Sequence, residues 1–74
     1  MKLHRILYKV CLTKKEAEKE LNKLLLKIPT SFIEESSDSG HWIVYLFVSE
    51  SEKQTKENLQ FYKKEGLQIF YQYK

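Results

Sequence analysis

The order of hydrophobic and polar positions along the chain predicts six elements of secondary structure. Residues 3–12 mix β-branched, aromatic and long apolar side chains without helical spacing, which predicts a strand. Apolar residues then recur at helical spacing from Ala17 to Ile28 with charged residues between them, as in an amphipathic helix. The same order follows again, with strands predicted over 31–35, 42–48 and 67–73 and a second helix after residue 51.

Local start and stop signals support both helices. Thr13 and Glu16, and later Ser51 and Gln54, have the spacing of a capping box, in which a hydroxyl accepts from a free backbone amide of the first helical turn. Pro29 cannot continue the first helix, because it lacks the amide hydrogen and fixes its φ angle. Near the other end of the chain, Gly66 lies where a glycine commonly terminates a helix.

The two halves of the chain superpose with a constant offset of 38 residues and no gap. Thr13 falls on Ser51, and Phe32 falls on Phe70. The sequence therefore predicts a single domain over residues 1–74, with repeat halves at about 1–36 and 39–74. The predicted fold class is α+β: a ferredoxin-like βαββαβ domain with a four-stranded antiparallel sheet and two helices on one face.

Two helices can cover only one face of such a sheet, so the other face is predicted to carry any binding site. With strict alternation along each strand, the even positions face the helices: Ile6, Tyr8, Val10, Val44, Leu46 and Val48. The predicted binding residues are the odd positions and one residue of the last strand: Leu7, Lys9, Cys11, Ile43, Tyr45, Phe47 and Phe70. Phe32 joins them if the edge strands keep the same parity. An uncovered face is normally polar, so this apolar surplus indicates a partner.

Length, charge and cysteine content narrow the classes of protein. The chain has 74 residues, 42% of them hydrophobic, which suits one folded domain with a modest core. No apolar stretch approaches the roughly 18–20 residues that span a bilayer, and no secretory signal is recognisable. We therefore expect a cytoplasmic protein without membrane insertion, unless the chain belongs to a longer secreted or anchored one. Cys11 is the only cysteine, and the net charge is +3.

The sequence offers no constellation of catalytic or metal-binding residues. His4, His41 and Cys11 lack the spacing of metal ligands. Asp38, Ser39 and His41 lie together in a predicted hairpin loop, which lacks the rigid placement of a catalytic triad. We therefore expect a non-enzymatic protein without a cofactor or a metal.

Two stretches of the chain carry a resemblance to a known family. The first is Lys15–Leu24, Lys-Glu-Ala-Glu-Lys-Glu-Leu-Asn-Lys-Leu, and the second runs from Trp42 to Tyr71. Both resemble the SPOR domain family, which shares the βαββαβ order and the internal repeat. The resemblance implies binding of bacterial cell-wall glycan outside the cytoplasm, with contacts from Lys9, Tyr45 and Phe47. The family's first strand typically reads Val-Gln-Val-Gly-Ser-Phe, and here Lys9 and Cys11 replace its glutamine and glycine.

Three functions follow as hypotheses. The first is an interaction module whose apolar sheet face binds a second copy of the chain or another protein. The second is SPOR-like binding of peptidoglycan glycan, with aromatic side chains stacking on sugar rings. The third is binding of single-stranded RNA, because RNA-recognition motifs share this fold and stack bases on aromatic residues of the central strands.

Overall fold

The computed structural model describes residues 3–73, and its elements follow the predicted order. They are β1 (His4–Cys11), α1 (Lys14–Leu25), β2 (Phe32–Glu35), β3 (Trp42–Ser49), α2 (Glu52–Lys64) and β4 (Phe70–Tyr73). The strands form one antiparallel sheet in the order β2-β3-β1-β4. The predicted α+β class and ferredoxin-like arrangement are confirmed.

The ends of the helices use the predicted capping residues. The Thr13 hydroxyl accepts a hydrogen bond from the Glu16 amide at 3.2 Å, and the Ser51 hydroxyl accepts one from the Gln54 amide at 3.1 Å. At the end of α2, Gly66 has a φ of +82°. The Leu67 amide donates across this turn to the Tyr62 carbonyl. This is a Schellman motif, which explains why a glycine is needed there.

The core lies between the helices and one face of the sheet. Its fully buried members are Ile6, Ala17, Val44 and Leu46. Burying one large aliphatic side chain contributes about 1.5–3 kcal/mol, so these positions hold the two layers together. Thr55 of α2 is also fully buried, and its hydroxyl donates to the Ser51 carbonyl at 2.8 Å, which satisfies the polar group within the core.

The bounds of the elements repeat at the predicted offset. Adding 38 to the bounds of β1 gives those of β3, and adding 38 to those of β2 gives those of β4. The helix α1 maps onto α2, which is one residue longer. The agreement in position is a property of the fold, and the internal two-fold repeat of the sequence stays a prediction.

Strands β1 and β3 each contain one extra residue, and this changes which faces their side chains occupy. The register between them shifts on both sides of Leu7, leaving Tyr8 and Leu46 without a cross-strand partner. An extra residue of this kind interrupts the alternation of a strand. In β1, Lys9 therefore lies toward the helices, where its ammonium is 3.5 Å from the carboxylate of Glu20 on α1. In β3, Phe47 pairs with a buried residue of β1 and packs against the core.

Three of the predicted positions on the uncovered face are therefore wrong. Lys9, Cys11 and Phe47 lie on the helix side, and Cys11 is only 3% exposed within the core cluster. Conversely, Val10 and Val48, predicted to face the helices, lie on the other side of the sheet and are 57% and 36% exposed. The prediction assumed strict alternation, which holds only up to the extra residue in each strand.

The edges of the sheet are finished differently on its two sides. Beyond the start of β2, the Thr30 hydroxyl donates to the Leu46 carbonyl of β3 at 2.6 Å. On the opposite side, β4 pairs with β1 only from His4 to Leu7, so beyond Leu7 no strand of the described chain pairs with that side of β1. Neither helix within residues 3–73 is long and apolar enough to cross a membrane.

Candidate functional site

Within residues 3–73, the cross-strand pairing places ten side chains on the face of the sheet opposite the helices, and we call this set the open face. Cross-strand partners share a face, so the pairing places these residues in three rows across the strands. The middle row crosses all four strands: Phe70, Leu7, Tyr45 and Phe32. The two flanking rows are Gln72, Arg5 and Val48 on one side, and Val10, Ile43 and Glu34 on the other.

One corner of the open face is closed by contacts within the chain. Tyr45 is only 3% exposed although no helix covers it. The ring of Phe32 stacks on it, with the centroids 5.0 Å apart and the planes at 20°. The guanidinium of Arg5 lies 5.4 Å from the Tyr45 ring centroid and reaches to within 3.8 Å of the Glu34 carboxylate. We call Arg5, Phe32, Glu34 and Tyr45 the closed corner.

The residues 38 positions away form the opposite corner, and it stays open. Phe70 takes the place of Phe32, but it pairs with Leu7 instead of an aromatic ring and is 66% exposed. Ile43 takes the place of Arg5, and Gln72 takes that of Glu34, so no ion pair covers this corner. We call Leu7, Ile43, Phe70 and Gln72 the open corner.

Two polar atoms on the open face are buried without a hydrogen-bond partner among residues 3–73. They are Nε of Arg5 and Oε1 of Gln72, which belong to cross-strand neighbours on β1 and β4. An unpaired buried donor or acceptor destabilises a fold by about 1–3 kcal/mol. The guanidinium of Arg5 is therefore bonded only in part by its own chain.

The structure brings together four of the seven residues predicted for binding. Leu7, Ile43, Tyr45 and Phe70 share the open face, together with Phe32 as expected from its parity. The prediction missed Arg5, Val10, Glu34, Val48 and Gln72. The opposite charges of Arg5 and Glu34, which lie on the two strands of the first repeat half, could have indicated that these residues pair on the open face. Nothing in the residue pattern marks the extra residues of β1 and β3.

Cys11 takes no part in the open face, because its side chain belongs to the core cluster. Burial raises the pKa of its thiol; Lys9 lowers that pKa, and Glu16 and Glu20 raise it. A raised pKa keeps the thiol protonated at neutral pH, and a thiol is a much weaker nucleophile than a thiolate. Cys11 is therefore a buried small hydrophobe of the core.

A second cluster of polar and aromatic side chains lies on the helix side of the sheet. The His4 ring is buried, its Nδ1 hydrogen-bonds with the Tyr71 hydroxyl, and it stacks on Tyr73 with centroids 4.4 Å apart. These contacts join the first strand to the last one. A role in holding β4 to β1 accounts for the cluster.

Concave features are shallow in the part of the chain that the structure describes. A groove of about 320 Å³ runs between the ends of the two helices, lined by Ile28, Phe61, Tyr62 and Leu67 with Lys27 and Glu65 at its rim. No group of three or more histidine, cysteine or acidic side chains within residues 3–73 is arranged to hold a metal ion. Val10, Val48 and Phe70 are the exposed large apolar side chains of the open face.

Comparisons with protein-family models, with curated proteins and with solved structures found no match to this chain. The resemblance to the SPOR domain family therefore stays a prediction from the sequence.

Proposed function

We propose that this chain is a small non-catalytic interaction module that associates with a second copy of itself through the open face. The observation that carries the proposal is the apolar character of a face that no helix covers. Seven of its ten side chains are apolar or aromatic, and the most exposed are Val10, Val48 and Phe70. Contiguous apolar surface of this kind is typical of interaction sites.

The balance of charge on the face also favours a second copy. Its two charged side chains, Arg5 and Glu34, are of opposite sign, so the face as a whole is neutral. A neutral face that carries one charge of each sign can be complementary to itself. A twofold dimer requires this property, because the same patch serves both partners.

The size of the face predicts weak and reversible association. With strands about 4.8 Å apart and a rise of about 3.3 Å per residue, the sheet presents roughly 400 Å² of projected area per copy. Two copies would bury roughly 800 Å² by this measure, below the ~1,200–2,000 Å² of most stable complexes. We therefore expect a dissociation constant in the micromolar range or weaker.

Glycan or RNA binding is less well supported by the geometry. Both hypotheses need an aromatic ring that a sugar or base can stack on. Phe32 and Arg5 already cover Tyr45, while Phe47 and Lys9 lie on the helix side. Stacking on Tyr45 would first require the closed corner to open.

Sedimentation equilibrium over a concentration series up to about 1 mM tests the proposal. We expect the average mass to rise from monomer toward dimer. Phe70→Asp should abolish the rise, because a charge would be buried in the interface. Phe61→Asp is the matched control, since Phe61 is a phenylalanine of α2 with 56% exposure that lies outside the open face.

A chain that stays monomeric at every concentration would refute the proposal. The same conclusion follows if Phe70→Asp and Phe61→Asp weaken association equally. Thermal unfolding of both variants, followed by circular dichroism, separates loss of association from loss of fold. A salt-dependent shift with single-stranded RNA, or retention on cell-wall sacculi, that Tyr45→Ala abolishes would instead favour the ligand hypotheses.

A further inference from the structure

We infer that the Arg5–Glu34 ion pair is exchanged between the two copies, so that each Arg5 pairs with Glu34 of the other chain. The inference rests on the proposed self-association and specifies its geometry. Within one chain the pair is loose: the two charged groups are 3.8 Å apart, and the Glu34 side chain is about half exposed.

The position of the pair on the face fixes where the twofold axis can lie. Arg5 belongs to one flanking row and Glu34 to the other, and Tyr45 lies between them in the middle row. A twofold axis that lies in the interface, passes over Tyr45 and is perpendicular to the line from Arg5 to Glu34 superposes the two positions. Each guanidinium then lies opposite a carboxylate of the second copy, which is the electrostatic complementarity that sets register at interfaces.

The same axis also brings together the exposed apolar residues of the face. With strands about 4.8 Å apart and residues ~3.3 Å apart along each strand, it carries the position of Phe70 close to that of Val10. These two are the most exposed apolar side chains of the open face. An axis chosen only from the charges therefore covers the apolar surface as well, which is an independent reason for this arrangement.

Two charge-reversed chains test the exchange. Arg5→Glu places two acidic residues on the face, and Glu34→Arg places two basic ones. Each variant alone should remain monomeric, because like charges meet across the axis. A mixture should form a heterodimer at least about tenfold tighter than either homodimer, because both cross-chain pairs are restored. Sedimentation of the separate and mixed chains measures this difference.

Lys14→Glu and Glu18→Arg provide the control for net charge. Lys14 and Glu18 also form an ion pair, at 3.9 Å, but on the exposed surface of α1. These two chains carry the same net charges as the first two, and each should dimerise as the unchanged protein does. Their mixture should gain no more than the small advantage of opposite net charge.

A disulfide cross-link tests the apolar contact without disturbing the charges. In a background of Cys11→Ala, one chain carries Val10→Cys and the other Phe70→Cys. Mixing them under mild oxidation should yield the mixed disulfide in large excess over either symmetric one. A chain pair with Leu26→Cys and Phe70→Cys is the control, because Leu26 is 92% exposed but lies after α1, away from the open face.

The outcomes separate this inference from the proposed function. Heterodimer formation in the charge-reversed mixture together with the Val10–Phe70 cross-link supports both. If the unchanged protein dimerises and Phe70→Asp prevents it, but the charge-reversed mixture gains nothing over its control, the exchange is refuted and the open-face dimer stands. If the unchanged protein never dimerises, the proposed function fails and the exchange fails with it.

Discussion

The closed and open corners occupy equivalent positions in the two halves of one sheet, and they differ in what covers them. In the closed corner, an aromatic ring lies beneath Phe32, and an arginine reaches across it to a carboxylate. In the open corner the equivalents of that ring and that arginine are Leu7 and Ile43, and Phe70 remains exposed. With the same backbone framework, side chains of the chain itself cover the aromatic ring in one half, and the equivalent corner of the other half stays exposed.

The comparison shows how two halves with the same backbone framework can differ in the cover of one sheet face. The edge strands, caps and central strands of the two halves coincide, so the difference cannot come from the backbone. It comes from three pairs of equivalent residues: Tyr45 against Leu7, Arg5 against Ile43, and Glu34 against Gln72. The closed corner covers its own aromatic ring, whereas the open corner leaves Phe70 exposed.

The largest expected effect is the loss of Tyr45 compared with the loss of its equivalent, Leu7. Tyr45→Ala removes a buried ring, its stacking on Phe32 and its contact with Arg5. We expect the free energy of unfolding to fall by about 3 kcal/mol. Leu7→Ala, at a half-buried position, should lower it by about 1.5 kcal/mol. Urea titrations measure both values, and equal losses would mean that the two corners do not differ as described.

Chemical labelling of thiols tests the faces assigned to the end of β1. Because Cys11 is buried and its pKa is raised, we expect it to react with a maleimide about 100-fold more slowly in the native protein than in urea. Val10→Cys in a Cys11→Ala background should react nearly as fast as an unfolded chain. The equivalent Val48→Cys in the same background should also react fast. Rapid labelling of native Cys11 would contradict the extra residue at Tyr8.

Replacing the two equivalent phenylalanines separates stability from association. Phe32→Ala opens the stack on Tyr45 and should lower the free energy of unfolding by about 2 kcal/mol. Phe70→Ala removes a mostly exposed ring and should change it by less than about 0.5 kcal/mol. In sedimentation experiments the order should reverse at matched folded concentrations, with Phe70→Ala weakening the dimer more. Similar effects of both changes on stability would remove the distinction between the corners.

The smallest expected effect concerns an ion pair in which the order of the acidic and the basic residue is reversed between the two helices. On α2 the Lys56 ammonium lies 2.8 Å from the Glu52 carboxylate. The equivalent residues on α1 are Lys14 and Glu18, so there the basic residue comes first. The hydrogen bond and charge of Lys56 lower the pKa of Glu52, and an acidic residue in the first turn also suits the helix dipole. Glu52→Gln should therefore slightly lower the melting temperature, whereas Lys14→Gln should leave it unchanged or raise it.

The pH dependence of that small difference follows from the sign of the shift. A carboxyl group with a lowered pKa stabilises the fold above its unfolded pKa, and the contribution is lost as the pH falls through the lowered folded value. The difference between the unchanged protein and Glu52→Gln should therefore be present at neutral pH and vanish as the pH falls below the ordinary value of 4.5. Circular dichroism melts across this range measure it, and a difference that grows in acid would contradict the assignment.

Sequence reasoning predicted the fold well because the signals for it are local. The caps at Thr13 and Ser51 and the glycine at the end of α2 act within one or two turns of chain. The faces of the central strands were predicted only in part, because the extra residues Tyr8 and Leu46 arise from pairing between distant strands. Both are apolar residues inside predicted strands, so their pattern does not distinguish a regular strand from a bulged one.

The unequal edges of the sheet bear on how the protein behaves at high concentration. On one side of the sheet the Thr30 hydroxyl donates to the Leu46 carbonyl, while on the β4 side no strand of the described chain pairs with Tyr8–Cys11. An unpaired strand edge can seed edge-to-edge aggregation, and a charged side chain on such a strand opposes it. Lys9 lies on this stretch and is about half exposed. We therefore expect its charge to oppose edge-to-edge pairing at high concentration, separately from any contact on the open face.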